Sequence, residues 1–423
     1  MRATFFLLAA VLPMQVTHAD DWPQWRGPQR DGAWREAGIV EKFPAQGVKI
    51  AWRAQAGGGW SSPIIAGGRA FLADSELAKP KAHERVRCFD AASGKVLWTH
   101  ASDVNYPDWA FAADQNSGPT STPAVADGKV YALGATGELL CLAGASGDLL
   151  WHRDLAKEYA VESFKVRASP LVDGGNLIVF IGGKPNACLL ALDRHTGREV
   201  WRALGEEVSN SSPVIVNAGG RRQLIVWTNE SLSSLDPANG TLLWREAVTT
   251  SGNDSIATPV CDGDRLLVSG MMFRLDHEKP AASVLWPENF TPSKRILSNT
   301  STPLLAGDSV FSATLKGDLV CLDSRTGQER WRSDKVTDHK SGTSIHITPN
   351  GDTAFLYTNR GELIRARLTA AGCEEISRTQ LIDPLTPFAG RKVTWSPPAY
   401  AGRCVFVRNE REIVCASLAA GEK

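Results

Sequence analysis

The sequence has 423 residues, 43% of them hydrophobic and 22% charged, and its 46 basic and 46 acidic residues give zero formal net charge. This is an ordinary globular composition. The balanced charge excludes a general attraction to nucleic acid or to an anionic membrane surface, and the sequence contains no basic block that would form a local patch.

The first 19 residues have the pattern of a secretory signal peptide. Arg2 precedes an apolar run from Phe5 to Leu12, and the small residues Thr17 and Ala19 occupy the positions that a signal peptidase reads. The run is too short to span a bilayer, and no Cys lies nearby to accept a lipid. We expect cleavage after Ala19 and a mature protein that is periplasmic or secreted.

Residues 20–46 form the next segment, which is rich in Trp, Pro and Gly and has neither a strand nor a helix period. Leaving Trp22, Trp25 and Trp34 in water would be costly, so we expect an ordered strap rather than a free tail. The following stretch, GVKIAW, ends on Trp52 and is typical of a strand, although no turn precedes it.

A nine-residue unit recurs along the rest of the chain. It begins with Asp after an apolar strand, turns through Ser or Thr and Gly, and ends on Trp. The clearest copies are DAASGKVLW at 90–98, DRHTGREVW at 193–201 and DSRTGQERW at 323–331. Two further copies end at Trp151 and Trp244, the first with Ala143 in place of Asp. The unit predicts a hairpin whose Gly takes the left-handed turn conformation and whose Trp lies on the returning strand.

Each repeat opens with a triplet of two small residues and Pro. The triplets begin at Ser61, Ser121, Ala168, Ser211, Ala257 and Ser301, and a last copy, SPP, begins at Ser396. A strand, a polar turn and a second strand follow each triplet, and a third strand then leads into the Asp turn. Each repeat therefore holds four short antiparallel strands.

The spacing of the Trp residues indicates the architecture. They stand at positions 52, 98, 151, 201, 244, 286 and 331, and four-stranded repeats at this spacing predict a propeller. The repeat from about Gly342 has Arg367 for Asp and Ile376 for Trp, and its frame still makes it a blade. The last repeat lacks a fourth strand, which the strand of Trp52 supplies. We predict an all-β, eight-bladed propeller of four-stranded antiparallel blades over residues 47–423, with each Trp packed between blades.

Eight cysteines in an exported chain raise the question of disulfides. Four of them share one repeat-equivalent position and are interpreted as small core residues, too far apart to bridge: Cys88, Cys141, Cys321 and Cys415. The pairing of the other four stays open: Cys188, Cys261, Cys373 and Cys404.

The loops that enter the innermost strands should meet at one mouth of the central channel, which is the expected ligand or partner site. The polar or aromatic residues before the triplets are Trp60, Asn116, Arg167, Asn210, Asp254, Asn299 and Trp395. Alternatively, the Asn and Asp side chains only bond the loop backbone. Trp60 and Trp395 occupy equivalent positions in blades that meet at the closure. In a long connection, Tyr106, Trp109 and Phe111 could form a partner-facing patch or a plug over the channel.

The repeated turn, the triplets, the eight-blade count and the leading DWPQWRGPQRDG resemble the propellers with pyrroloquinoline-quinone (PQQ)-like repeats. The resemblance covers nearly the whole mature chain. This superfamily includes quinoprotein alcohol dehydrogenases and the BamB assembly lipoproteins. The strap resembles exported members that have no assigned activity. A shared fold alone does not imply a shared function.

The resemblance to dehydrogenases would imply PQQ beside calcium in the funnel, a base carboxylate and often two adjacent cysteines. The sequence has no Cys-Cys pair, no C-x-x-C-H haem site, no carboxylate cluster and no metal-ligand spacing among its histidines. We therefore expect neither a catalytic residue, a metal site nor a cofactor. The preferred hypothesis is a monomeric, noncatalytic BamB-like binding or scaffold protein with a protein, peptide or glycan partner. The alternative is a PQQ-dependent alcohol or sugar dehydrogenase.

Overall fold

The computed structural model describes residues 21–112, 114–249, 256–288, 297–298, 300–340 and 342–421. The described residues form eight four-stranded antiparallel sheets, which confirms the predicted all-β, eight-bladed propeller. A two-stranded hairpin, one short α-helix and one 3-10 turn are the additions to the blades. The predicted signal peptide, residues 1–19, lies outside the described residues.

The strands of each blade in the first half are numbered from the channel outward. The strands of blade 1 are β2 (Ile64–Ala66), β3 (Arg69–Ala78), β4 (Lys81–Asp90) and β5 (Val96–Val104). Those of blade 2 are β6 (Ala124–Ala126), β7 (Lys129–Leu133), β8 (Glu138–Ala143) and β9 (Leu149–Asp154), followed by helix α1 (Leu155–Tyr159). Those of blade 3 are β10 (Leu171–Asp173), β11 (Asn176–Gly183), β12 (Ala187–Asp193) and β13 (Glu199–Ala203). Those of blade 4 are β14 (Val214–Ala218), β15 (Arg221–Trp227), β16 (Ser231–Leu235) and β17 (Leu242–Ala247).

The second half repeats this order. The strands of blade 5 are β18 (Val260–Asp262), β19 (Arg265–Val268), β20 (Met271–Leu275) and β21 (Ala282–Trp286). Those of blade 6 are β22 (Leu304–Ala306), β23 (Ser309–Ala313), β24 (Leu319–Asp323) and β25 (Glu329–Ser333). Those of blade 7 are β26 (Ile345–Asn350), β27 (Thr353–Thr358), β28 (Glu362–Thr369) and β29 (Gly372–Gln380). The hairpin β30 (Thr386–Phe388) and β31 (Arg391–Val393) precedes blade 8, whose inner strands are β32 (Ala399–Ala401), β33 (Cys404–Arg408) and β34 (Glu412–Ser417).

The ring closes through the N-terminal strand, as predicted. Strand β1 (Ile50–Gln55) is the outermost strand of blade 8 and pairs antiparallel with β34, so that Trp52 lies opposite Cys415. The strap continues the closure, because Ile39 forms an isolated antiparallel bridge with Ala419. Both ends of the described chain are therefore held in one blade.

The repeated Trp joins each blade to the next. The indole N–H of Trp201 in blade 3 donates to the carbonyl of Pro237 in the turn of blade 4, at 3.2 Å. The ring also lies on the Gly of that turn, since a methyl group added at Gly240 would be 2.6 Å from Trp201 Cε3. The same arrangement joins Trp52 to Gly94, Trp98 to Gly147, Trp151 to Gly197 and Trp286 to Gly327. This confirms that Trp packs between blades. It also gives a second reason for Gly in the turn, because a side chain there would collide with the Trp ring of the preceding blade.

Blade 5 departs from this arrangement. Its turn runs from Asp276 to Ala281 without Gly, and the Trp of the preceding blade, Trp244, donates its indole N–H within its own blade, to Gln223 Oε1 at 2.7 Å. This turn lies two residues farther from its Trp than the other turns do and has Pro280 at the position of the usual Gly, so it lacks the Gly surface on which the other rings pack.

The triplets join the blades near the channel by a different bond. In four neighbouring pairs the hydroxyl of the middle residue accepts the N–H of the middle residue of the preceding triplet. These bonds are Ser62 to Thr122, Thr122 to Ser169, Ser169 to Ser212 and Thr258 to Thr302, donor first, at 3.0 to 3.1 Å. All four bonds are buried, so each hydroxyl satisfies a backbone group that water does not reach.

The apolar core is divided into clusters between neighbouring sheets, and the cysteines belong to it. Cys88, Cys141, Cys321 and Cys415 are each at most 1% exposed, in agreement with their interpretation as core residues. All eight thiols are free in the structure, including the four whose pairing the sequence left open.

Candidate ligand site in the central channel

The N-terminal strap crosses the channel and bonds to blade after blade. Trp22 exchanges two backbone hydrogen bonds with Ile65 of blade 1, at 2.8 and 2.9 Å. The carbonyl of Pro23 accepts from Val125 N of blade 2 at 2.7 Å. Both partners follow the Pro of their triplet, at the end of the channel opposite the predicted mouth.

The later residues of the strap also bond to the blades. Its Arg30, 6% exposed, donates through Nη1 to the carbonyl of Pro170 in blade 3, at 2.8 Å, and through Nη2 to that of Pro213 in blade 4, at 3.2 Å. Trp34 N donates to Pro349 O of blade 7 at 2.9 Å. These hydrogen bonds hold the strap across one end of the channel.

The closed channel is a cavity of about 540 Å³, which we call the cup. Its floor comes from the strap, its wall from the triplets and its rim from the loops before them. The floor residues are Trp22, Gln24, Trp25, Arg26 and Gly32. A cavity of this size is in the range of small-molecule sites.

Four of the seven predicted site residues line the cup: Trp60, Arg167, Asn210 and Trp395. Asn116 does not line it. Its side chain accepts from Gly59 N at 3.1 Å and donates to Gly59 O at 3.4 Å, which is the backbone role kept as the alternative. Asp254 and Asn299 lie outside the described residues. Ligand binding by the lining residues stays a prediction.

Aromatic rings form one side of the rim. The centroids of Trp60 and Trp395 are 5.8 Å apart with planes at 69°, and Phe388 meets Trp395 at 4.9 Å and 73°. The fully buried Arg408 fixes the loop of Trp60, because its Nη1 donates to Gly59 O at 2.6 Å. The closure of the ring thus brings together the two Trp residues that the sequence placed at equivalent positions.

Two arginines bring positive charge to the cup. Arg167 donates through Nε to Phe164 O at 3.0 Å, and Arg26 donates through Nη2 to Asp31 O at 2.7 Å. Within the described part of the chain, neither guanidinium has a carboxylate oxygen within 4.0 Å. Burial lowers the pKa of Arg167 and lowers that of Arg26 to about 10, so both remain cationic at neutral pH.

His346 forms part of the wall and is uncharged. Its Nε2 lies 3.1 Å from Trp395 O, and its ring stacks on Tyr357 at 6.5 Å and 21°. Burial lowers the pKa of His346 to about 4, so the neutral imidazole donates its Nε2 proton to the carbonyl at neutral pH. The imidazole therefore positions the rim Trp and adds no charge.

Sequence reasoning missed the contribution of the strap to the site. Trp25 and Arg26 stand in the floor, and Trp25 Nε1 donates to Thr258 Oγ1 of blade 5 at 2.9 Å. The alternation of Trp with polar and cationic residues in DWPQWRGP was the available signal, because a segment that only covered the core would not need it. Phe388 and His346 had no such signal, since they lie in a connecting hairpin and on a blade that lacks the usual triplet.

Two aromatic residues of the first long connection pack on the connection that follows blade 2. Tyr106 and Trp109 pack on Phe164 at 4.7 and 4.8 Å between centroids, and neither they nor Phe111 line the cup. The strap lies at the other end of the channel and does not test the plug, which stays a prediction. Trp109 is 52% exposed, so the partner-facing alternative stays a prediction.

The described ranges contain neither a candidate metal site nor a candidate membrane-spanning helix. No group of three or more His, Cys, Asp or Glu side chains there is placed to hold a metal ion. None of the described helices is long and apolar enough to cross a membrane.

Comparison with known proteins identifies the family. The family model for the outer membrane protein assembly factor BamB matches residues 82–333 and 279–371, more than half of the chain. The chain belongs to the BamB family. BamB of Shewanella oneidensis is 25% identical over 57% of this chain and 62% of its own length. The quinoprotein alcohol dehydrogenase PedH of Pseudomonas putida is 28% identical over 62% of this chain and 47% of its own length. The chain thus spans less than two thirds of these curated relatives.

Solved structures share the fold of this BamB-family chain. BamB from Moraxella catarrhalis superposes with a TM-score of 0.60 at 16% identity, over 89% of this chain and 99% of the other. The quinohemoprotein alcohol dehydrogenase of Comamonas testosteroni gives 0.66 at 14% identity, over 95% and 81%. The resemblance to propellers with PQQ-like repeats is confirmed.

Proposed function

We propose that this BamB-family chain is an exported, noncatalytic propeller that binds a ligand or a segment of a partner in the cup. The observation that carries the proposal is the strap, which lies across one end of the channel and forms the floor of the cup. A channel closed by its own chain on one side and lined by Trp, Arg and amide groups on the other suits binding from the mouth.

The lining chemistry favours binding over dehydrogenation. Among the described residues the cup is lined by aromatic, hydroxyl, amide and guanidinium groups, and no Asp, Glu or Cys is present. Calcium prefers carboxylate and carbonyl oxygens, and proton abstraction from an alcohol needs a base such as a carboxylate. The described residues therefore do not fit a calcium-bound quinone, and we derive no redox step from them.

The comparisons support a scaffold function in the cell envelope. The family model and the relative from Shewanella oneidensis both carry the name of an assembly factor of the outer membrane. The long loops around the mouth are suited to recognition, because they project from a rigid ring whose blades are bonded to one another. We propose a protein, peptide or glycan partner and a periplasmic or secreted location.

Binding to the cup can be tested with paired Trp variants. The purified mature chain is screened against peptides and oligosaccharides by calorimetry, and every binder is tested again with Trp60→Ala and Trp395→Ala. We expect both variants to lose affinity for a cup ligand because they remove the aromatic rim. Trp109→Ala is the control, since this side chain is exposed and lies outside the cup. Binding that survives both rim variants would contradict the proposal.

The alternative is a PQQ-dependent oxidoreductase, and the similarity to PedH is the observation that favours it. The test is to equilibrate the protein with PQQ and calcium and to look for quinone absorbance and dye reduction with alcohols or sugars. Turnover that disappears in Trp60→Ala would replace the noncatalytic proposal. Absence of quinone binding would leave it in place.

A further inference from the structure

The two arginines of the cup lack the partners that buried cations usually have. Arg167 at the rim and Arg26 in the floor bond to backbone carbonyls, and the described residues place no carboxylate within 4.0 Å of either. Arg30 and Arg408 are also buried without a carboxylate, but each donates to three backbone carbonyls, whereas Arg167 donates to one among the described residues. Arg85 is paired with Asp74 at 2.7 Å. Withdrawing a guanidinium from water costs free energy, and the nearby Asp31 carboxylate offsets only part of that cost for Arg26.

A bound anion would offset this cost. Burial lowers the pKa of both guanidinium groups, because it removes water that would solvate their charge. Charge-assisted hydrogen bonds from Arg to a carboxylate are among the stronger polar contacts in proteins, and Arg retains further N–H donors after one or two backbone bonds. The unpaired cations are therefore available for an acidic ligand.

We infer that the cup binds a small sugar acid, with Arg167 as the group that recognises its carboxylate and Arg26 as a second cation in the floor. The inference rests on the proposed function, because it names the class of ligand for the same site. The closed floor and the volume of about 540 Å³ suit a mono- or disaccharide better than a chain that must pass through.

The arrangement of the aromatic rings favours a sugar over a flat aromatic acid. The rings of Trp60 and Trp395 are inclined at 69°, and those of Phe388 and Trp395 at 73°. Rings at such angles do not form the parallel slot that holds a planar molecule between two faces. One Trp face is sufficient for a sugar, whose apolar C–H groups lie on one side of a puckered ring.

The wall supplies partners for sugar hydroxyl groups. Ser169 and Ser212 line the cup, and each Oγ accepts a backbone N–H at 3.0 Å. A hydroxyl that accepts one bond keeps its own proton as a donor. The cup thus combines cations for a carboxylate, donors for ring oxygens and an aromatic face for the ring.

The test compares D-galacturonate with D-galactose, which differ in the acid group, by isothermal titration calorimetry on the full mature chain. We expect galacturonate to bind more tightly than galactose. Arg167→Gln should weaken galacturonate by about tenfold or more, because it removes a charge-assisted bond. Arg167→Lys should restore part of the loss. Arg411→Gln, in a separate surface groove, is the matched control and should leave the affinity unchanged. Thermal unfolding shows whether each variant is folded.

Each outcome decides between the possibilities. Equal binding of the two sugars, or galacturonate binding that Arg167→Gln does not change, overturns the sugar acid while leaving ligand binding in the cup intact. Preference for naphthalene-2-carboxylate over galacturonate assigns the cup to aromatic acids instead. If the folded protein binds galacturonate in none of these titrations, the inference fails. Turnover with PQQ and calcium would remove the proposed function itself.

Discussion

The outer ring is the part of the propeller in which the repeated Trp residues pack between blades. The outer ring and the cup use the same repeat in opposite ways. At the outer ring, equivalent positions hold the same residues, and Trp201 packs on Gly240 as Trp98 packs on Gly147. At the cup, equivalent positions hold different residues, such as Trp60 and Arg167. The repeat therefore fixes the backbone through its outer residues and leaves the side chains at the channel free to differ. Stability and recognition are carried by separate positions of one unit.

The largest expected effect is the loss of a ring between blades. Trp201→Ala should lower the free energy of unfolding by about 3 to 5 kcal/mol, since it leaves a cavity and removes the indole bond to Pro237 O. Denaturant unfolding measures the change. Trp395→Ala, at the partly exposed rim, should cost less. Equal losses would contradict the separation between outer ring and cup.

The turn glycine provides the second test. Gly240→Ala should cost about 3 kcal/mol, because φ is +73° and the new methyl group would be 2.6 Å from the Trp201 ring. Gly174→Ala is the matched control, with φ +54° and no atom within 4 Å of the added carbon. It should cost only about 1 kcal/mol, for the backbone strain alone. If the two variants unfold at the same denaturant concentration, the ring contact contributes nothing.

The bonds between triplets should contribute less than the rings. Ser212→Ala leaves the buried N–H of Ser169 unpaired and should cost about 1 to 3 kcal/mol. Ser62→Ala is the natural comparison, because Ser62 Oγ has no partner among the described residues. The equivalent residue of the preceding triplet is Pro397, which has no N–H to donate. The free energy of unfolding of Ser62→Ala should equal that of the parent. A loss as large as that of Ser212→Ala would contradict a stabilising role for the hydrogen bond between triplets.

The smallest expected effect concerns pH and the wall of the cup. Burial lowers the pKa of His346 from 6.5 to about 4. Between these two pH values the imidazole is protonated in the unfolded chain and neutral in the folded chain. The contribution to stability is complete above pH 6.5 and is lost as the pH falls toward 4. His346→Gln should lose less stability than the parent between pH 7 and pH 4.5, measured by urea unfolding. If the free energies of unfolding of the parent and of His346→Gln fall in parallel with pH, the pKa of His346 does not differ between the folded and the unfolded chain.

The sequence predicted the outer ring better than the cup, for a physical reason. Periodic contacts leave periodic residues, so Trp and Gly at fixed spacing revealed the blades and the closure at Trp52. The blade count needed no knowledge of side-chain packing. The loops before the triplets were also found from this periodicity, which is why Arg167 and Asn210 were placed on one cavity.

The strap and the hairpin before blade 8 could not be placed in the same way. Arg26 and Trp25 reach the floor because the strap crosses the channel, and no local pattern encodes a path across eight blades. Phe388 arrives through a hairpin that occurs once. Contacts made once in a repeat protein leave no repeated signal, and the candidate site consists largely of such contacts.

The closure of the ring by β1 and β34 also has a consequence for biosynthesis. The ribosome delivers β1 first and its partner β34 at the other end of the chain, so the edge of β1 stays without its ladder until nearly all blades exist. The entropy of closing so long a loop grows only with the logarithm of its length, whereas distant pairings slow folding. The last blade is thus completed only after β34 has been synthesised. Until then the exposed edge of β1 must not pair with strands of other molecules.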